Sequence, residues 1–293
     1  MSCIPVSERG LSEGWSEHRF ISFDKTPIFY RRFLKDRAAR AVIFILHGMG
    51  EHGGRYIELA EYLGSGGFEC FLPDLRGFGK SAGKRGTLRH FSDYFEDLKV
   101  IQRLAGVPDD RRPFFVLGHS YGALVAASWV AAFPALRCRG LVLTSPNFGI
   151  AIRVGPVRHG LAIAMARVNP DFTQDNGVDP DLLTHDVSMR QRHARDPLIH
   201  GRISVGLYRE MTGQLSRVDE VASKILCATL VLQAGDDRIV SQSATAHFFE
   251  KLASEDKELH VYENLYHEIL NETERASIFT RIRDWLERRS NTL

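Results

Sequence analysis

The segment Phe114-Phe-Val-Leu-Gly118-His-Ser120-Tyr-Gly122-Ala123 constrains the fold more than any other part of the chain. Its first four residues form an apolar run that reads as a buried strand, and residues 121–133 read as a helix. Between them stands a G-x-S-x-G, whose serine belongs in a sharp strand-to-helix turn. So tight a turn leaves no room for side chains at the flanking positions, which accounts for both glycines. The turn exposes Ser120 at the C-terminal edge of a sheet, beside a helix N-terminus, where a hydroxyl can serve as a nucleophile.

The remainder of the chain supports such a sheet. Residues 18–23 and 28–33 read as an opening hairpin turning at 24–27. Short apolar runs follow at 41–46, 68–72, 114–117, 140–143, 229–233 and 259–262, as expected for parallel strands buried on both faces. Helical patterns alternate with them at 55–64, 92–105, 121–133, 241–253 and 273–289. In the last, Ile278, Ile282, Trp285 and Leu286 form one apolar stripe. Strands alternating with helices define an α/β protein. From about Asn147 to Val221 no strand pattern occurs, and this stretch is expected to be an inserted helical cap. The core would then comprise residues 1–146 and 222–293, with the cap at 147–221. Within the cap, Ile150, Ile152, Val154, Val157, Leu161, Ile163 and Met165 alternate with Arg153, Arg158 and Arg167. The apolar residues are expected to line a tunnel, and the basic ones to face solvent or anionic lipid headgroups, giving a peripheral membrane contact.

Composition excludes several other classes. With 293 residues, 44% of them hydrophobic and 25% charged, the chain has the balance of a globular protein with a substantial core. A net charge of +2 without runs of like charge offers no electrostatic case for nucleic acid. Cys3, Cys70, Cys138 and Cys227 are too scattered for a disulfide framework or a CxxC metal site, so free thiols and a cytoplasmic location are expected. The opening MSCIPVSERGLSEGW lacks the basic start and apolar stretch of a secretory leader. The longest apolar run, 121–136, is too short to cross a bilayer.

A serine hydroxyl becomes nucleophilic only when a neighbouring base takes its proton, so an orienting carboxylate and a histidine should follow in that order. The strand at 229–233 leads into Gly235-Asp236-Asp237-Arg-Ile-Val240, which places two carboxylates at the same sheet edge. Asp237, directly before the return into the next helix, is expected to take the role, with Asp236 the alternative. His267, in the loop before the last helix, is the expected base among twelve histidines. His119, although adjacent to Ser120, must point away from the hydroxyl in so tight a turn. The remaining requirement is a pair of backbone N–H groups for the oxyanion. Tyr121, after the nucleophile, and Met49, in the glycine loop His47-Gly-Met-Gly50 after the strand at 41–46, are the expected donors. This chemistry requires no metal and no cofactor.

Taken together, His47-Gly-Met-Gly-Glu51-His-Gly-Gly-Arg55-Tyr56, Pro73-Asp-Leu-Arg-Gly-Phe-Gly-Lys-Ser81, Gly118-His-Ser-Tyr-Gly122, Asp196-Pro-Leu198, Gly235-Asp-Asp-Arg-Ile-Val240 and Tyr266-His267 resemble the monoacylglycerol lipase and lysophospholipase family of the α/β-hydrolases. The resemblance runs from about residue 15 to 290, cap included. It implies the α/β-hydrolase fold, with a mostly parallel central sheet, and hydrolysis of a long-chain glycerol ester, a small-molecule lipid substrate, through an acyl-enzyme. It also implies that the cap covers an acyl tunnel and that Glu51 and Arg55 lie near a polar head pocket. The residues alone leave open a simple ion pair for Glu51 and Arg55, four apart at a helix start. Asp74 and Arg76 read as structural turn residues. Two positions depart from the family pattern: Leu270 stands where animal members carry a second histidine, and Tyr121 where methionine is usual. Alternatives on the same fold are a thioesterase or an aminopeptidase, the latter with Asp179, Asp181 or Asp186 holding a substrate ammonium, and a non-catalytic binder of a small ligand.

Overall fold

A computed structural model describes residues 4–6, 13–36, 38–108, 112–151 and 155–290. Cys3, Ile152, Arg153 and Val154 lie outside the described residues. Along the chain run β1 (Ile4–Val6), β2 (Trp15–Ile21), β3 (Pro27–Phe33), β4 (Ala41–Leu46), α1 (Ile57–Ser65), β5 (Phe68–Pro73), α2 (Ser92–Leu104), β6 (Phe114–His119), α3 (Tyr121–Ala132) and β7 (Gly140–Thr144). Next come α4 (Pro156–Val168), β8 (Thr173–Asp175), α5 (Val187–Arg195), β9 (Arg202–Ser204), α6 (Val205–Leu215) and α7 (Val218–Ala222). The chain finishes with β10 (Ala228–Ala234), α8 (Gln242–Lys251), β11 (Lys257–Tyr262) and α9 (Arg275–Ser290).

Nine strands form one sheet in the order β1-β2-β3-β5-β4-β6-β7-β10-β11. From β5 to β11 every pairing is parallel, whereas β1, β2 and β3 join antiparallel at one edge. The alternation of side chains along each strand separates two cores. Val42, Phe44 and Leu46 of β4 point into one cluster with α2 and α3, while Ile43 and Ile45 point into the other with α1 and α9. Every residue of β4, β5, β6 and β7 is buried, the outcome when helices cover both faces.

The stretch without a strand pattern departs from its reading in one respect. Residues 147–221 carry α4, α5, α6 and most of α7, but β8 and β9 pair there as an antiparallel ribbon. Thr-Gln-Asp and Arg-Ile-Ser have no alternation to read at three residues each, and their pairing comes from tertiary placement. Likewise β1 pairs with β2 beyond the expected hairpin. No helix among the described residues is long and apolar enough to cross a membrane.

The expected orientation of α4 is corrected. Val157, Leu161, Met165 and Val168, expected in part to line a tunnel, are 76%, 67%, 41% and 83% exposed. The small side chains Ala162 and Ala166 face inward instead and pack on Val205 and Tyr208 of α6, because only small residues allow the two helices to approach closely. Arg158 is exposed and also borders the cavity. Ile163 is half-buried.

Candidate active site

The strand-to-helix turn after β6 holds Ser120 at φ 52° and ψ −116°, a conformation that a non-glycine residue adopts only when its surroundings impose it. The close packing appears at its glycines: a Cβ on Gly122 would lie 2.3 Å from the Leu46 carbonyl oxygen, and one on Gly118 2.5 Å from that of Gly122. Backbone bonds tie the turn to its neighbours, with Ser120 N–H donating to Thr144 O at 2.9 Å and Asn147 N–H to Ser120 O at 3.1 Å.

Two loops from distant parts of the chain converge on this serine. The Ser120 hydroxyl meets His267 Nε2 at 2.9 Å, and His267 Nδ1 meets Asp237 Oδ2 at 2.8 Å. An ionised carboxylate only accepts, so Nδ1 carries the proton and Nε2 is free to accept from the serine. Asp237 is itself held in place. Its Oδ1 accepts from the N–H groups of Ile239 and Val240 at 2.9 and 3.0 Å, and its Oδ2 from Gln233 Nε2 at 3.4 Å. Asp236, by contrast, is exposed and pairs with Arg238. Burial alone would raise the Asp237 pKa, but the charge and hydrogen bond of His267 and the two N–H donors bring it below the usual carboxylate value.

The same balance acts on His267. Burial would lower its pKa, yet the charge and hydrogen bond of Asp237, followed by the charges of Glu268 and Glu51, leave it raised. Since only neutral imidazole can accept the serine proton, kcat/KM for an ester should rise with pH through a midpoint above the ordinary histidine value of about 6.5. Glu268→Gln should move that midpoint down, because one raising charge is gone. A pH–rate profile of both proteins checks this, and an unmoved or rising midpoint would contradict it. His119 makes no comparable contribution. Its pKa is lowered to about 3 by burial and by His267, and its Nδ1 lies 3.1 Å from the Thr144 hydroxyl.

Beside the serine, the loop after β4 carries Gly48, Met49 and Gly50. Tyr121 opens α3, so its N–H lacks an intrahelical acceptor. Its side chain is fully buried, its ring 6.0 Å from that of Tyr94. His47 braces the loop through Nδ1–H donating to Gly48 O at 2.7 Å, while its Nε2 accepts from Leu75 N–H at 2.8 Å. Glu51 Oε1 accepts from Gly48 N–H and from the Tyr56 hydroxyl, both at 2.6 Å. Arg55 Nε stands 2.8 Å from Glu51 Oε2, and its Nη2 pairs with Glu268. The four-residue ion pair is therefore real but forms part of a buried cluster joining the glycine loop to the histidine loop. Asp74 and Arg76 are structural: Asp74 holds Arg31, Gly53 N–H and Lys80 N–H, and Arg76 holds Asp97 and Asp24.

A cavity of about 470 Å³ opens on the serine. Its wall includes Ser120, His267, Met49, Glu51 and Glu268, and, from the 147–221 stretch, Ile150, Arg158, Ala162, Ile203 and Tyr208. Glu51 thus reaches the cavity wall, whereas Arg55 holds it from behind. Glu268 and Asn147 also line the cavity and escaped the sequence reading; an acid beside a loop histidine and an asparagine after a strand carry no pattern that would reveal them.

Residues 37–274 match the family described as "Serine aminopeptidase, S33". A monoacylglycerol lipase of Mycolicibacterium smegmatis is 30% identical over 277 residues, covering 94% of this chain and 98% of that protein. Phospholipase YtpA of Bacillus subtilis is 34% identical over 240 residues, covering 82% and 92% respectively. Among solved structures, a monoacylglycerol lipase of Paleococcus ferrophilus superimposes with a TM-score of 0.82 at 29% identity, covering 88% of this chain and 98% of that one.

Proposed function

From the premise that the chain belongs to the serine aminopeptidase S33 family of the α/β-hydrolases and is a carboxylic ester hydrolase, we propose that it cleaves long-chain glycerol esters through an acyl-enzyme on Ser120. The observation that carries the mechanism is the chain of hydrogen bonds from Asp237 through His267 to Ser120. His267 removes the hydroxyl proton as Ser120 attacks the ester carbonyl, then returns it to the leaving alcohol. Asp237 orients the imidazole and stabilises its charged form. Met49 and Tyr121 N–H groups bind the oxyanion, and Glu51, with Arg55 behind it, shapes the polar end where the alcohol leaves. A water activated by His267 then releases the fatty acid.

Residues 147–221 are read as a cap over the acyl chain. Ile150, Ala162 and Ile203 supply apolar wall to the cavity under it. The exposed stripe Val157, Leu161, Met165 and Val168 on its outer side suits peripheral contact with a lipid surface from which a monoacylglycerol could enter. A cytoplasmic location fits the unbridged Cys70, Cys138 and Cys227. The aminopeptidase alternative finds no support in its three acids. Asp179 and Asp186 cap helix starts, Asp181 pairs with Arg190, and none lines the cavity.

One ester series tests the substrate and the stripe together. For monoacylglycerols, kcat/KM should climb with acyl length well past four carbons, each buried methylene adding up to about 0.8 kcal/mol. Leu161→Asp should lower turnover of monooleoylglycerol held in vesicles and leave a soluble butyryl ester unaffected. A preference for acetyl esters would replace the lipase reading with a small-ester hydrolase. Equal vesicle rates would remove the membrane contact.

A further inference from the structure

The Asp196-Pro-Leu198 motif belongs neither to the hydrogen-bonded Ser120–His267–Asp237 chain nor to the cavity wall. Asp196 directly follows α5, and the segment 196–201 runs from it against the glycine loop of the active site. His200 N–H donates to Gly50 O at 2.9 Å. Contact is so close that a Cβ on Gly50, whose φ is +82°, would lie 2.6 Å from the His200 carbonyl oxygen. The His200 ring stacks on Phe78, with centroids 5.3 Å apart and planes 7° from parallel.

Asp196 adds a side-chain anchor. Its Oδ1 accepts from Leu198 N–H at 2.9 Å, which shapes the segment, and its Oδ2 lies 2.9 Å from His52 Nε2. His52 Nδ1 accepts from Gly54 N–H at 3.1 Å, so the ring proton sits on Nε2 and is donated to Asp196. The turn containing Gly54 also carries Tyr56, whose hydroxyl holds Glu51, and Glu51 in turn holds Gly48 N–H. The loop is therefore gripped at Gly48 by Glu51 and at Gly50 by the 196–201 segment. Met49 stands between the two grips.

We propose that Asp196 is a positioning residue for the oxyanion hole: acting with His52 and the His200 backbone, it fixes the Gly48–Gly50 loop so that Met49 N–H meets the developing oxyanion. This rests on the ester-hydrolase reading and on Met49 as a donor. Donors of this kind act by being in place before charge develops, and a shift of about 1 Å in a reacting group costs about 100-fold in rate. A residue that merely fastened the cap would matter for long acyl chains alone. One that places the donor matters for every ester.

The test compares wild type, Asp196→Ala and Asp196→Asn in the full chain on p-nitrophenyl acetate and monooleoylglycerol. Asp196→Ala should lower kcat on both by the same factor, about 10- to 100-fold, with KM changed less than about threefold. Asp196→Asn has one acceptor oxygen where Asp196 uses two, for Leu198 N–H and for His52 Nε2–H, so it keeps one anchor of the two and should lose less than Asp196→Ala, again by the same factor on both esters. Affinity for a boronic acid that forms a tetrahedral adduct should fall in parallel with kcat/KM, whereas inhibition by the product fatty acid should not move. Unchanged acetate turnover with a raised KM for monooleoylglycerol would overturn the proposal in favour of simple cap attachment. Should Asp196→Ala fail to fold, His52→Gln must show the same loss on both esters, and normal acetate turnover there would overturn it equally. If the wild type hydrolyses neither ester, the substrate reading fails separately. The rate of fluorophosphonate labelling, which passes through an oxyanion on phosphorus, then reads the effect of Asp196→Ala.

Discussion

Ser120→Ala should leave a folded protein that neither hydrolyses esters nor reacts with a fluorophosphonate. The expected loss is on the order of 10⁵- to 10⁶-fold in kcat, the scale found when the nucleophile of a serine, histidine and carboxylate unit is removed. It corresponds to about 7–8 kcal/mol of barrier, at 1.36 kcal/mol per factor of ten. Stability should change by no more than about 1 kcal/mol, because the substitution removes a single hydroxyl whose side-chain partner is His267 and leaves the backbone bonds of the turn intact. Activity, labelling and thermal unfolding of the variant check this together. Labelling retained at the wild-type rate would assign the nucleophile elsewhere.

The second large effect distinguishes two neighbouring carboxylates. Asp237→Asn should lower kcat by about 10⁴-fold. Its remaining oxygen can still accept from Ile239 and Val240 N–H, but the new amide would donate toward His267 Nδ1. That forces the ring proton onto Nε2, where it faces Ser120 and prevents the imidazole from accepting. Asp236→Asn alters only a solvent-exposed pair with Arg238, which contributes little, and should leave kcat within about twofold of wild type. Steady-state kinetics of the two variants decide the assignment, and the reverse order would move the role to Asp236.

Much of this arrangement was legible in the sequence because its signals are local. The apolar runs at 41–46, 114–117 and 140–143 are strands in the structure, and 92–105 and 121–133 are helices within a residue at each end. A run buried on both faces reads as a parallel strand without knowledge of its neighbours, and a glycine on each side of a serine marks a tight turn without knowledge of what crowds it. Ribbons of three residues leave no such trace, so β8 and β9 were missed. Val157, Leu161 and Met165, which the pattern places along a tunnel, are turned outward by α4. Its sequence presents both an apolar stripe and a pair of alanines, and the pattern alone does not say which of them meets α6.

By itself, then, the sequence determined the strand-turn-helix around Ser120, the order in which serine, carboxylate and histidine occur, and the glycine loop, because each depends on residues a few positions apart. Tertiary structure decided that Asp237 rather than Asp236 faces His267, that Glu268 joins Glu51 on Arg55, and that Asp196 reaches His52. These contacts join residues separated by 30, 213 and 144 positions. The first two form because the strand order brings the C-terminal ends of β4, β6 and β10, with the loop after β11, to one edge of the sheet, and the third because the segment after α5 packs against the loop after β4. No spacing within a single segment encodes which side chains then meet across that edge.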